Sequence, residues 1–237
     1  MILPVAILAG GLATRLRPIT ETIPKALVEV AGRPFAEHQV EWLRGQGIER
    51  IVFLVGYRGE MVSEALGDGA RWGLLIEYLF DGPTLLGTGG ALRRARDVLG
   101  HAFFVMYGDS YLDCDLPAIE KAFHASGQPA LMTVIGNGNR WDASNVVFEN
   151  GRIVRYDKRH RTSNMQHIDY GLGVLSAMAL EPYSPGEPFE LATVYRDIAN
   201  QGRLAAYEVT SRFYEIGSLD GLEKTREYLQ SRRPESE

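Results

Sequence analysis

Short, uninterrupted apolar runs alternate with helical apolar patterns along the first half of the chain, and this alternation constrains the fold most. Val5-Ala6-Ile7-Leu8, Ile51-Val52-Phe53-Leu54-Val55, Phe103 to Tyr107 and Ala130 to Ile135 lack the alternation of a half-exposed strand. Runs of this kind suit strands covered on both faces, as in a parallel sheet. Between them, Ala36, Val40 and Leu43 follow Pro34 at helical spacing and stop at Gly47. A short helix is expected around Met61 and Ala65, then a strand over Leu75 to Phe80. Leu92, Ala95 and Leu99 follow Gly89-Gly90, and Leu116, Ile119 and Phe123 form the next helical face. This βα rhythm predicts an α/β fold, a parallel sheet with helices on both faces.

The rhythm changes after Ile135. Asn145 to Phe148 and Arg152 to Tyr156 flank Asn150-Gly151, which predicts a hairpin on a tight turn. A strand is expected over Asp169 to Leu175, a helix through Leu191, Val194 and Ile198, and a last helix through Leu222 and Leu229. No linker or repeat interrupts the chain. One domain over 1–230 is expected, with halves at about 1–135 and 136–230, and the charged segment 231–237 is expected to fray.

Composition narrows the function. The net charge of -5 argues against a nucleic-acid partner, which calls for a basic face. No apolar run approaches the roughly 20 residues that cross a bilayer, and the apolar start, Met1 to Ala9, lacks a basic region before it and reads as a buried strand. Cys114 is the one cysteine, so no internal disulfide forms, which fits a reducing cytoplasm. Between Asp113 and Asp115 it is a poor thiolate. The five histidines lack zinc-ligand spacing.

The chemistry concentrates where the first strand ends. Leu8-Ala9-Gly10-Gly11-Leu12-Ala13-Thr14-Arg15-Leu16-Arg17-Pro18 places a glycine pair and an arginine at the carboxyl edge of a parallel strand. Ligands of open α/β sheets bind at that edge. Glycines let backbone N–H groups approach an anion, and arginine can neutralise phosphate oxygens, although a glycine pair also makes plain turns. Neither G-x-x-x-x-G-K-[ST] nor G-x-G-x-x-G occurs there. Lys25, within Pro24-Lys25-Ala26-Leu27, could return to the same phosphates or be a surface charge. Asp109 follows the Phe103 to Tyr107 strand, at an edge suited to a metal-binding carboxylate, and Gly108-Asp109-Ser110 could also be a simple turn.

Together these segments resemble the signature of the sugar-1-phosphate nucleotidyltransferases, a family with a pattern near L-A-G-G-x-G-T-R-L-x-P followed by P-K-x-L/M. The similarity continues through Val55-Gly56-Tyr57, Leu86-Gly87-Thr88-Gly89-Gly90-Ala91, Gly108-Asp109 and Tyr214-Glu215-Ile216-Gly217. The resemblance implies a Rossmann-like three-layer α/β/α mixed sheet, mostly parallel. It makes the first half nucleotide-binding, and extra strands in the second half sugar-binding. It also implies the reaction: a nucleoside triphosphate and a sugar 1-phosphate give a nucleotide sugar and pyrophosphate by in-line attack with Mg²⁺.

By resemblance, Leu8, Gly10, Gly11, Leu12, Ala13 and Thr14 wrap the nucleotide, and Gly87 and Thr88 lie beside its base and ribose. Arg15 and Lys25 neutralise phosphates, while Asp109 and Glu215 hold the metal. Gly108, Asp157, Lys158 and Asp169 face the sugar phosphate. The chain departs from the pattern at Ala13, usually glycine, where a methyl group calls for a negative φ or a shifted loop. It departs again at Glu215, usually aspartate, and at Asp169, usually asparagine. The L-G-T-G-G segment points to GTP with a mannose or heptose 1-phosphate, leaving dTTP, UTP and CTP open. A homo-oligomer is also left open. A non-catalytic nucleotide-sugar sensor is the alternative class; loss of Arg15, Lys25 or Asp109 would mark it, and all three are present.

Overall fold

The computed structural model describes residues 2–82 and 84–232. β1 (Val5–Ala9) is followed by 3-10 turns at Thr14–Leu16, Ile19–Glu21 and Lys25–Leu27. A small hairpin, β2 (Glu29–Val30) and β3 (Arg33–Pro34), leads into α1 (Phe35–Gly45). The alternation continues with β4 (Arg50–Val55), α2 (Gly59–Leu66), β5 (Leu75–Phe80), α3 (Gly87–Leu99) and β6 (Ala102–Tyr107). Then come β7 (Ser110–Tyr111), α4 (Leu116–Ser126) and β8 (Ala130–Gly136). β9 (Val146–Glu149) and β10 (Arg152–Tyr156) form the expected hairpin, with positive φ at Asn150 (51°) and Gly151 (76°) as such a turn requires. β11 (His167–Ser176), α5 (Leu191–Asn200), β12 (Leu204–Glu208), β13 (Tyr214–Glu215) and α6 (Leu219–Ser231) complete the chain. Arg232 pairs with Asp113 at 2.8 Å, and the rest of the expected tail, 233–237, lies outside the described residues.

β5, β4, β1 and β6 lie side by side in parallel. Their side chains alternate between two cores. Val5, Ile7, Ile51, Phe53 and Val55 pack against α1, α2 and α4, whereas Ala6, Val52 and Leu54 pack against α3 and α5. Both faces are therefore apolar, which is why these strands read as unbroken runs. A third, smaller core of Leu16, Val28, Val30, Phe35, Tyr111, Ile216, Leu222 and Leu229 fixes α6 beneath the loop after β1.

β8 does not extend the parallel series beside β6, where the rhythm would place it. β11 enters between them, antiparallel to both. In this nine-stranded sheet only β10 and β11 run against the rest, so the sheet is mixed and mostly parallel. β11 pairs with β6 through Leu172–Ser176 and with β9 only at His167. Its register against β8 slips between Asp169 and Gly173, and Gly171 adopts φ +93°. The ladder thus opens at Asp169, and its carboxylate projects beyond the end of β6.

Candidate active site

The carboxyl ends of β1, β5 and β6 form one wall of a cavity of about 270 Å³. Leu8, Gly10, Gly11, Gly87, Thr88 and Gly108 line it, together with Lys25 and Asp109. A second cavity, about 540 Å³, opens on the other side of Asp109. Arg15, Lys158, Asp169 and Glu215 line it, with Trp141 and Phe213 as its aromatic wall. Asp109 and Tyr107 belong to both. Two concave sites meeting at one carboxylate are the arrangement that two reacting substrates require.

Lys25 Nζ stands 2.8 Å from Asp109 Oδ2, and both side chains keep partial access to solvent. Ser110 Oγ donates to Asp109 Oδ1 at 3.3 Å. The short β7–β13 ladder places Glu215 opposite Ser110, beside Asp109, and the Ile216 N–H donates to the Asp109 carbonyl at 2.9 Å. The Glu215 carboxylate accepts from the Gly217 N–H and from Ser218 Oγ, at the N-terminus of α6. Gly217 has a steric reason to be glycine: a Cβ there would lie 2.5 Å from Glu215 Oε2, 3.5 Å from Asp109 Oδ2 and 3.6 Å from an Arg15 Nη. Arg15, Asp109 and Glu215 therefore converge on one point.

Asp109 and Glu215 suit Mg²⁺ by donor chemistry. This ion takes one or two carboxylates and completes its octahedron with water and phosphate oxygens. Among the described residues no group of three or more His, Cys, Asp or Glu side chains gathers into a closed metal cage.

On the second cavity, Lys158 Nζ is 3.3 Å from Asp169 Oδ2 and donates to the Tyr107 hydroxyl at 3.4 Å. Burial opposes the ammonium charge, but Asp169, Tyr107 and Tyr156 together outweigh it and hold Lys158 well above its ordinary range. The Tyr156 hydroxyl donates to the same Asp169 oxygen, and the Gly171 N–H donates to the other. Lys158 is thus a fixed cation on the wall of the second cavity.

Several expected residues lie elsewhere. Leu12, Ala13 and Thr14 do not line the first cavity. Gly108 belongs to the first cavity, where a Cβ would press on the Leu8 carbonyl at 2.9 Å. Asp157 lines a third cavity of about 300 Å³, with Lys158 and Glu190. Its Oδ1 accepts from the Arg159 and His160 N–H groups, both at 2.8 Å, closing the loop after β10. The His160 N–H chiefly holds its carboxyl below the usual range. Cys114 is inert: burial first, then Asp113 and Asp115, push its thiol up to about 12.

Gly87 and Thr88 line the first cavity, whereas Gly89 and Gly90 pack against protein. Both donate their N–H groups to the Phe189 carbonyl, at 2.9 and 3.2 Å. A Cβ on Gly89 would overlap the Phe189 ring. The segment ahead of α5 thereby lies across the N-terminus of α3. Thr88 Oγ1 donates to Glu190 Oε2 at 2.7 Å and accepts from the Leu191 N–H at 2.8 Å.

The backbone at Ala13 is also unlike the expectation. It adopts φ 50°, ψ 39°, and its carbonyl accepts from the Leu16 N–H and the Thr20 hydroxyl. The left-handed region costs a non-glycine residue about 1–2 kcal/mol, more than the roughly 0.4–1 kcal/mol of unfolded-chain entropy a glycine adds. Ala13→Gly should therefore stabilise the protein by about 0.5 kcal/mol. A denaturant midpoint that falls would contradict this.

Sequence reading passed over Asp81, Tyr107, Trp141 and Glu190. Asp81 closes β5 at the same sheet edge as Asp109, so the strand-end rule could have found it. It lines the first cavity, and burial raises its carboxyl pKa. Glu190 and Trp141 sit in loops far along the chain from the residues they face, and nothing in their own neighbourhood marks them.

A model of the family described as nucleotidyl transferase matches residues 5–146. The mannose-1-phosphate guanyltransferase of Schizosaccharomyces pombe is 32% identical over 96% of this chain. The glucose-1-phosphate thymidylyltransferase of Streptomyces antibioticus is 30% identical over 98% of this chain and 67% of its own length. The chain spans just under two thirds of the mannose-1-phosphate relatives it matches, 66% of one and 64% of another. HddC from Yersinia pseudotuberculosis, solved in complex with GMP-PN, shares the fold at a TM-score of 0.79 and 23% identity, over 96% of this chain and all of that one. Among the described residues no helix is long and apolar enough to cross a membrane.

Proposed function

The chain belongs to the sugar-1-phosphate nucleotidyltransferase family, and on that premise we propose that it joins GTP to a mannose or heptose 1-phosphate and releases pyrophosphate. The observation that carries this reading is the sharing of Asp109 between a cavity walled by the glycine turn and Lys25 and a cavity walled by Arg15 and Lys158. Each reactant is a polyanion, and each cavity brings a cation to the boundary.

The attacking phosphate oxygen of the sugar 1-phosphate is already anionic, so no side chain need activate it. The protein's tasks are alignment and charge neutralisation. Lys158 holds the sugar phosphate close to the triphosphate against their repulsion. Lys25 bridges oxygens at the reacting phosphorus, and Arg15, beside Asp109 and Glu215 on the second cavity, neutralises phosphate charge where the two reactants meet. Asp109 and Glu215 would hold Mg²⁺ between them, which supplies further neutralisation of the phosphates when bound.

Asp81 supports guanine. A carboxylate only accepts hydrogen bonds, and the guanine edge offers adjacent N1–H and N2–H donors to one. Thymine and uracil offer a single N–H between two carbonyl oxygens, a poorer match. The mannose-1-phosphate relatives support the same base.

A pyrophosphate-release matrix with Mg²⁺ tests the reading, crossing each NTP with mannose, heptose, glucose and amino-sugar 1-phosphates. GTP with a mannose or heptose 1-phosphate should give the highest kcat/KM. Higher kcat/KM with dTTP, UTP or CTP would displace guanine. Nucleotide-sugar binding without turnover of any pair would instead identify a sensor.

A further inference from the structure

Tyr107 is the residue common to all three cavities around the site. It ends β6, directly before Gly108-Asp109, and strand alternation turns its ring towards the α3–α5 side, where Thr88 and Glu190 stand. Lys158 lies over that ring at 5.2 Å from its centroid and donates to its hydroxyl at 3.4 Å. An ammonium can only donate, so the Tyr107 oxygen is the acceptor and the phenolic hydrogen is left to point elsewhere. No hydrogen bond from this hydroxyl to another described residue is present. Lys158, the partner of this hydroxyl, lines the second and third cavities.

Building on the transferase reading above, we propose that Tyr107 is a further catalytic residue, whose hydroxyl donates a hydrogen bond to a phosphate oxygen of the sugar 1-phosphate, alongside Lys158. The phenol suits a donor role because its oxygen already accepts from Lys158, which leaves the O–H hydrogen as the group free to meet a ligand. The neighbouring tyrosine, Tyr156, is committed to Asp169 and cannot serve. Lys158 supplies charge and Tyr107 supplies direction: one positions the phosphate by attraction, the other by a fixed donor.

Tyr107→Phe removes the hydroxyl and keeps the ring beneath Lys158. Loss of a hydrogen bond to a charged group predicts a fall of about 10- to 100-fold in kcat/KM for the sugar 1-phosphate. The Kd for GTP, measured without sugar phosphate, and the thermal midpoint should stay near wild type. Wild-type kcat/KM in Tyr107→Phe would overturn the proposal. So would a loss matched by weaker GTP binding or a lower melting point, which would show a structural role. Tyr107→Leu also removes the shelf under Lys158 and should lose more; a Phe variant equal to wild type beside a crippled Leu variant would assign the effect to the ring. If the wild-type enzyme turns over no substrate pair, the transferase reading fails by itself, and it does so before any variant is made.

Discussion

Asp109→Asn is expected to lower kcat by about 10³-fold or more while leaving the fold intact. Asparagine preserves shape and the Ser110 contact but removes the charge that faces Lys25 and both cavities. Two losses coincide. Lys25 loses the partner that fixes its ammonium 2.8 Å away, and Glu215 loses its neighbouring carboxylate. Removing one preorganised group at a developing charge typically costs about 10²–10³ in kcat, and loss of a metal contact adds to that. Stability should barely change, because a partly exposed ion pair contributes only about 0–1 kcal/mol. Pyrophosphate release and a thermal melt on the same preparation separate the two effects. A variant retaining a tenth of wild-type kcat would remove Asp109 from the centre of the chemistry.

Gly89→Ala is the second large effect, and here two forces have opposite signs. In a helix interior alanine is favoured over glycine by about 1 kcal/mol, so propensity alone predicts a gain. The added methyl, however, would overlap the Phe189 ring and come 3.0 Å from the Glu190 carbonyl carbon. Phe189 cannot easily yield, since it stacks on Tyr183 with centroids 4.6 Å apart and its carbonyl is tied to Gly89 and Gly90. Overpacking costs about 1–3 kcal/mol and displaces the segment carrying Glu190. A net loss of about 1 kcal/mol should lower the melting temperature by about 2–4 °C at this chain length. Nucleotide affinity should fall with it, because Thr88 and Glu190 line the first cavity. A rise in melting temperature would mean that helix propensity wins and the segment is free to move.

Local patterns were legible wherever the cause was local. The unbroken apolar run of β4 reflects burial on two faces, and the Asn150-Gly151 turn reflects a backbone that asks for positive φ twice. Asp109 and the glycine turn were legible because the carboxyl edge of a parallel sheet is where ligands bind. What depended on distant partners was not. The insertion of β11 between β6 and β8 leaves no trace in either neighbour's periodicity, so Ala130 to Ile135 looked like one more parallel strand. Gly89 and Gly90 announced a close approach without saying to what, and the answer lies about a hundred residues along the chain. Ala13 carries a left-handed backbone despite its methyl group, held by the Thr20 hydroxyl and the Leu16 amide.

The β7–β13 ladder has a consequence for how activity first arises in a newly made molecule. Asp109 sits near the middle of the polypeptide, but Glu215 reaches it only when Tyr214 and Glu215 pair with Ser110 and Tyr111 and α6 packs beneath. During synthesis, a growing chain that has reached residue 200 already contains the glycine turn, Lys25, Asp109 and Lys158. It has no second carboxylate until the closing segment emerges and docks. The carboxylate pair that we propose for Mg²⁺ is therefore complete only once α6 has docked.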